Sequence, residues 1–277
     1  MVLSKMFKKR AATVVLTLAL ATSLVAGSAM EASAALSGTL KVGGSTTVQP
    51  LAQLLANNFH KINKGVTITV EGGGSGVGLS KTLDGTFGLG MSSNVLGATD
   101  ISNGLVGTAM ARDALTFIVN PSNKVKALTG AQLKQIWTGQ ITNWNQLGGI
   151  NHKIDVCGRA AGSGTGDFVN KTIFGSPTLV STLKTYDSNG LLKAAVASDK
   201  NAIGYVGMAY ATSKVRGLKV NGVLPTRANA KAGLYPYVRK LWWVTLGSPT
   251  GLAQAFINYS LTSKGQAAAN SLYMSLN

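Results

Sequence analysis

Residues 159–168 read R-A-A-G-S-G-T-G-D-F, and whether this run is a flexible linker or a cradle for an anion decides the fold. It follows a short β-rich run at 154–157 and precedes a stretch, 167–174, that reads as helix. A helix N-terminus leaves its first N–H groups unpaired and partly positive, so a turn between a strand and a helix suits an anion. Glycine lets a ligand approach the backbone closely, and serine or threonine adds a hydroxyl. Arg159, one residue upstream of the small residues, adds a guanidinium able to make a bidentate contact.

Two more turns of the same kind lie upstream. A strand at 39–42 runs into Gly43-Gly44-Ser45-Thr46-Thr47, and Pro50 then opens a helix carrying Leu51, Leu54, Leu55 and Phe59 at helical spacing. A second strand, V-T-I-T-V at 66–70, leads through Gly72-Gly73-Gly74-Ser75-Gly76 into a helix at 77–83. A single such turn is explained by N-capping alone. Three in one chain, each after a strand, point to one oxyanion site assembled from hydroxyls, backbone N–H groups and one arginine.

The rest of the chain keeps the alternation of an α/β protein. Strands are predicted at 115–119, 202–206 and 241–246, and helices at 128–137 (started by Thr129), 191–197 and 252–261. Neither fixed-period repeats nor a disordered linker interrupts this pattern, and a chain that is 45% hydrophobic and 13% charged builds a sizeable core.

Lys5, Lys8, Lys9 and Arg10 precede an apolar run of about 16 residues, too short to span a bilayer, and Ala32-Ser33-Ala34 supplies a cleavage pattern. Residues 1–34 are therefore expected to be a secretory signal, giving a secreted or periplasmic protein. No cysteine near the cleavage point could carry a lipid. Without that leader the net charge falls from +17 to +14. The lysines are scattered and not interleaved with aromatics, which argues against nucleic acid as a partner and leaves electrostatic association with an anionic envelope open.

Other chemistries find little support. Cys157 is the sole cysteine and reads as a buried small residue, while His60 and His152 sit in polar surroundings. Neither G-x-G-x-x-G nor G-K-[ST] spacing accompanies the turns, and Ala161 stands where a G-x-S-x-G elbow would need its first glycine. No triad, metal set or cofactor site emerges, so binding without turnover is expected.

Motifs along the chain resemble the secreted phosphate-binding proteins of ABC-type phosphate importers, the PstS family. They are G-G-S-T-T-V-Q-P-L at 43–51, V-E-G-G-G-S-G-V-G at 70–78, I-V-N-P-S-N at 118–123, L-T-G-A-Q-L-K-Q-I-W-T-G-Q-I-T-N-W at 128–144, R-A-A-G-S-G-T at 159–165, A-I-G-Y-V-G at 202–207, Y-P-Y-V-R at 235–239 and F-I-N-Y-S-L-T-S-K-G-Q at 256–266. The resemblance implies a periplasmic-binding-protein fold: two α/β lobes, 35–112 with 215–277 and 113–214, joined by crossing strands around a ligand cleft. It implies a monomer that hands inorganic phosphate or a related oxyanion to an ABC permease. Its ligand contacts would fall on Ser45, Thr46, Thr47, Ser75, Arg159, Ser163, Gly164 and Thr165.

Two positions depart from that family. An aspartate that accepts the proton of hydrogen phosphate aligns with Gly88 in F-G-L-G-M-S-S, and an acid of some members aligns with Ala161. Both departures imply weaker selection against sulfate. The alternative function is a basic cell-wall-associated or adhesive protein with the same fold and a decayed anion site.

Overall fold

The computed structural model describes residues 36–276; the expected leader and its cleavage site lie outside the described residues. In chain order the elements are β1 (Ser37–Gly44), α1 (Gln49–Ile62), β2 (Gly65–Glu71), α2 (Ser75–Leu83), β3 (Leu89–Ser92), α3 (Ala98–Ser102), β4 (Leu105–Val119), β5 (Ala127–Leu128), α4 (Gly130–Trp137), β6 (Asp155–Arg159), α5 (Gly164–Val169), β7 (Lys184–Tyr186), α6 (Asn189–Ser198), β8 (Ala202–Gly207), β9 (Arg216–Gly217), β10 (Lys219–Val220), α7 (Arg227–Lys231), β11 (Val238–Leu246), α8 (Gly251–Leu261) and α9 (Ser263–Leu272).

One curled sheet runs in the order β2-β1-β3-β11-β4-β8-β6-β7. Strands β1, β2 and β3 are parallel, as are β6, β7 and β8. Between the two sets, the steps β3 to β11, β11 to β4 and β4 to β8 are all antiparallel. Three reversals turn the second set round relative to the first, so the carboxyl ends of both sets point to the middle of the molecule. In open parallel sheets that is where ligands bind.

Each set has its own core. Leu40, Val42, Leu51, Leu55, Phe59, Met91, Trp243 and Phe256 belong to one buried cluster, and Phe117, Trp137, Trp144, Val156, Phe174 and Tyr205 to another. Strands β4 and β11 pass between them, and β11 shifts register at Leu241/Trp242, close to the changeover. Leu218, Val220, Ala230 and Tyr235 pack in the second cluster, and the first resumes at Leu241. The result is two α/β lobes on one continuous sheet. Among the described residues no helix is long and apolar enough to cross a membrane.

Local chemistry explains most of the elements. Leu51, Leu55 and Phe59 are the buried stripe of α1, with proline in its first turn. Thr129 caps α4 by accepting from Gln132 N–H at 3.1 Å, and the Gln132 side chain returns a bond to Thr129 N–H. Two helices begin earlier than their apolar spacing predicts. Gly74 adopts φ 98°, which lets α2 start at Ser75 instead of 77. The Ser163 hydroxyl accepts Gly166 N–H at 3.2 Å and starts α5 at Gly164 instead of 167; a π-turn, Asn170–Phe174, completes the predicted span.

Candidate functional site

Every strand of the two parallel sets in the curled sheet delivers a residue to one buried cluster at its middle. Ser45, Thr46 and Thr47 follow β1, Ser75 opens the helix after β2, and Ser93 follows β3. From the other lobe come Arg159 at the end of β6, Asn189 shortly after β7, and Gly207 at the end of β8. The crossing strands add Asp113 from β4 and Arg239 from β11. These side chains are almost wholly buried, Asp113 and Asn189 completely and Arg159 at 7% exposure.

The three glycine-rich turns meet as the sequence predicts. Thr47 Oγ1 lies 2.9 Å from Thr165 Oγ1, Gly76 N–H donates to Gly162 C=O at 2.9 Å, and Gly74 N–H donates to Gly44 C=O at 3.0 Å. A Cβ built on Gly44 would fall 2.6 Å from Gly78 Cα, so the first turn and α2 touch only because both residues are glycine. A Cβ on Gly164 would fall 2.4 Å from Ser75 Oγ and 3.0 Å from Ser93 Oγ. Ser163 is buried here, but its hydroxyl serves the α5 cap. Ser45 similarly accepts Thr47 N–H at 3.3 Å within its own turn.

Arg159 is positioned by the second lobe. Its Nε donates to Tyr186 C=O at 3.0 Å, and its Nη2 donates to Asp187 C=O at 2.9 Å and to Thr46 Oγ1 at 3.3 Å. Nη1 is buried and has no hydrogen-bond partner. The two-nitrogen fork expected from sequence is thus reduced to one unengaged nitrogen. Burial, with Arg239 nearby, lowers the guanidinium pKa to about 10, which leaves it a cation at neutral pH.

Arg239 is neutralised in place. Its Nε and Nη2 donate to Asp113 Oδ2 at 3.1 and 2.9 Å, and Asp113 Oδ1 accepts Met208 N–H at 2.9 Å. Nη2 also reaches Thr165 Oγ1 at 2.9 Å and Thr47 Oγ1 at 3.3 Å, while Nη1 donates to Gly164 C=O at 3.3 Å. Among the described residues, Asp113 holds the only carboxylate hydrogen-bonded within the cluster.

Sequence reasoning missed Asn189, Arg239, Asp113 and Ser93. Arg239 stood in the Y-P-Y-V-R motif and Asp113 at the expected lobe crossing, but neither carries a local sign of ligand chemistry. Ser93 is buried and donates its N–H to Ser75 Oγ at 3.1 Å. The alignment of Gly88 with a ligand-facing acid is overturned. Gly88 is exposed, a Cβ there would meet Leu40 Cδ1, and it lines a surface cavity with Phe87, Thr82 and Thr245. Ala161 is also exposed, although it lies in the third turn. Cys157 is buried as expected, and that burial pushes its thiol up to about 11. His60 and His152 are exposed.

Comparison with known proteins agrees with this geometry. Residues 29–264 match the PBP superfamily domain. The phosphate-binding protein PstS of Bacillus subtilis (strain 168) is 35% identical over 227 residues, covering 80% of this chain and 75% of that protein. PstS of Borreliella burgdorferi is 29% identical over 244 residues, covering 82% and 86%. A Clostridium perfringens structure, assigned as a phosphate ABC transporter substrate-binding protein and solved with bound phosphate, is similar at TM-score 0.83 and 31% identity, covering 87% of this chain and all of that one. A Vibrio cholerae ABC-type phosphate transport receptor is similar at TM-score 0.70 and 26% identity, covering 85% and 99%. The domain match and the kinship over three quarters of the Bacillus protein establish that the chain belongs to the PBP superfamily and, within it, to the PstS family of phosphate-binding proteins.

Proposed function

We propose that the protein binds a tetrahedral oxyanion, inorganic phosphate first, between its lobes outside the cytoplasm and passes it without turnover to the permease of an ABC importer. The observation that carries this reading is the buried, unpartnered Arg159 Nη1 among threonine and serine hydroxyls drawn from three turns. A buried cation with an unused donor is costly unless an anion meets it. Ser45, Thr46, Thr47, Ser75, Ser163, Gly164 and Thr165 are the proposed partners of Arg159, with Ser93 added. The convergence of all three turns favours capture over a wall-associated protein with a decayed site. The exposed Lys124, Lys126, Lys214 and Lys219 leave room for a secondary attraction to an anionic envelope.

We further propose that the lobes divide in β4 near Asp113 and rejoin in β11 near Arg239. The packing of Leu218, Val220, Ala230 and Tyr235 supports this later return over one at 215. The transporting species is taken to be a monomer.

A thermal-shift panel of phosphate, sulfate, arsenate and molybdate tests the reading. Phosphate at about a hundred times its dissociation constant contributes about 2.7 kcal/mol of stability, which for a chain of this size raises Tm by roughly 5–10 °C. No shift with any of the four would refute it. Sulfate is expected to compete when in excess, because the one carboxylate in the cluster is already engaged by Arg239 and Met208 N–H and no acid remains to demand a proton on the ligand.

Closure should depend on Gly164. Gly164→Ala places a methyl against Ser75 and Ser93 and is expected to weaken phosphate binding about tenfold or more while changing the anion-free Tm little, since lobes held slightly apart relieve the clash. Calorimetric titration of this variant with wild-type affinity would count against the contact.

A further inference from the structure

The hydroxyl protons of the cluster are ordered by the donors behind them. Thr46 Oγ1 receives Asn189 Nδ2 at 3.0 Å, Asn189 backbone N–H at 3.3 Å and Arg159 Nη2 at 3.3 Å. A hydroxyl has two lone pairs and one proton, so an oxygen met by three donors has its own proton left to give elsewhere. Thr47 Oγ1 receives Asn189 Nδ2 at 3.0 Å, and of the two protons on Arg239 Nη2 one goes to Asp113 while the other is shared by Thr165 Oγ1 at 2.9 Å and Thr47 Oγ1 at 3.3 Å. Thr47 and Thr165 lie 2.9 Å apart, and whichever of them donates in that contact fills the other as an acceptor and leaves one proton of the pair over. That proton, like that of Thr46, has no acceptor among these partners.

The orientation of Asn189 fixes this chain. Its Oδ1 accepts Gly207 N–H at 3.1 Å, and an N–H can only donate, so the amide nitrogen must face the two threonines. The side chain is fully buried at the start of α6, in the lobe opposite Thr46 and Thr47. We propose that Asn189 is the positioning residue that sets hydroxyl polarity in the clamp: by occupying lone pairs of Thr46 and Thr47 it commits Thr46 and one hydroxyl of the Thr47–Thr165 pair to donate to a bound anion. The inference rests on the proposed oxyanion capture, and it explains how one cation and neutral hydroxyls form a wall of donors. Thr46 is thereby kept from turning its lone pairs toward the ligand, an arrangement that would repel it.

Asn189→Asp tests it, because the carboxylate keeps the acceptor for Gly207 N–H and replaces the amide donor by a second acceptor of the same shape. Thr46 and Thr47 then turn their protons toward residue 189, and phosphate affinity at pH 8 is expected to fall at least 100-fold with the anion-free Tm within a few degrees of wild type. Ala161→Asp, which adds the same charge to the third turn without touching the threonines, is expected to lose less than tenfold.

Asn189→Ser retains a small donor and is the second variant should the aspartate variant fold poorly; its expected loss is about tenfold. Wild-type-like binding by either variant at residue 189, or a loss equal to that of Ala161→Asp, would overturn the proposal. If the wild-type protein itself binds none of the four anions, the oxyanion reading fails first and this inference with it.

Discussion

Arg159→Ala is expected to weaken phosphate binding by about three orders of magnitude. Hydrogen bonds involving a charged group contribute about 1.5–3 kcal/mol each, and the variant loses the two N–H donors of Nη1 offered to the anion, which amounts to about 4 kcal/mol. The loss falls on binding more than on folding. Among the described residues no carboxylate is bonded to the buried guanidinium, so removing it also removes its desolvation penalty. Against that, Tyr186 C=O and Asp187 C=O each lose a donor. The anion-free Tm is therefore expected within a few degrees of wild type. Arg159→Lys should recover little, because one ammonium cannot hold both carbonyls and still present a separate nitrogen to the ligand. Calorimetric titration at constant ionic strength distinguishes the cases, and an Arg159→Ala protein binding phosphate within tenfold of wild type would remove Arg159 from the site.

The turns that deliver Arg159 and its neighbours were legible because their chemistry is local. Glycine followed by serine or threonine at the start of an apolar-periodic run announces a helix entry whether or not the rest of the fold is known. Ser45 to Thr47, Ser75 and Ser163 to Thr165 accordingly meet where the sequence placed them. Asn189 reads only as part of a helix start, S-N-G, and its use depends on a sheet order that brings the end of β7 opposite the first turn. Asp113 and Arg239 likewise pair across strands 126 positions apart. Strand β3, L-G-M-S, lacks the β-branched and aromatic residues that mark strands.

The misplacement of Gly88 follows from β3. A strand rises about 3.3 Å per residue, so Gly88 and Ser93, at opposite ends of β3, stand roughly 16 Å apart. A shift of a few residues in reading this segment therefore exchanges the buried cluster for the surface. Ser93 is the residue of the segment that reaches the cluster, and it offers a hydroxyl and not a carboxylate. The expectation of weak selection against sulfate survives on a different footing, the engagement of Asp113 by its neighbours.

Asp113→Ala carries the largest expected effect on stability. Asp113 and Arg239 form a buried pair at 2.9 Å, with side chains 0% and 4% exposed, on the two strands that join the lobes. Removing one member of such a pair costs about 3–5 kcal/mol, because the remaining charge stays buried without its partner. At roughly 2–4 °C per kcal/mol, Tm should fall by about 10 °C in the absence of anion. Replacing both residues, as Asp113→Ala with Arg239→Met, should recover most of that loss, since an apolar pair leaves no uncompensated charge behind. The single variant also turns Arg239 from a neutralised side chain into a second net cation bonded to Thr47 and Thr165. Phosphate should therefore raise the Tm of Asp113→Ala by more than it raises that of wild type, whereas the double variant, lacking the guanidinium, should respond less than either. Scanning calorimetry with and without phosphate reads all three quantities. A single variant that melts within about 2 °C of wild type, or that gains less from phosphate, would show that the pair does not hold the charge balance of the clamp.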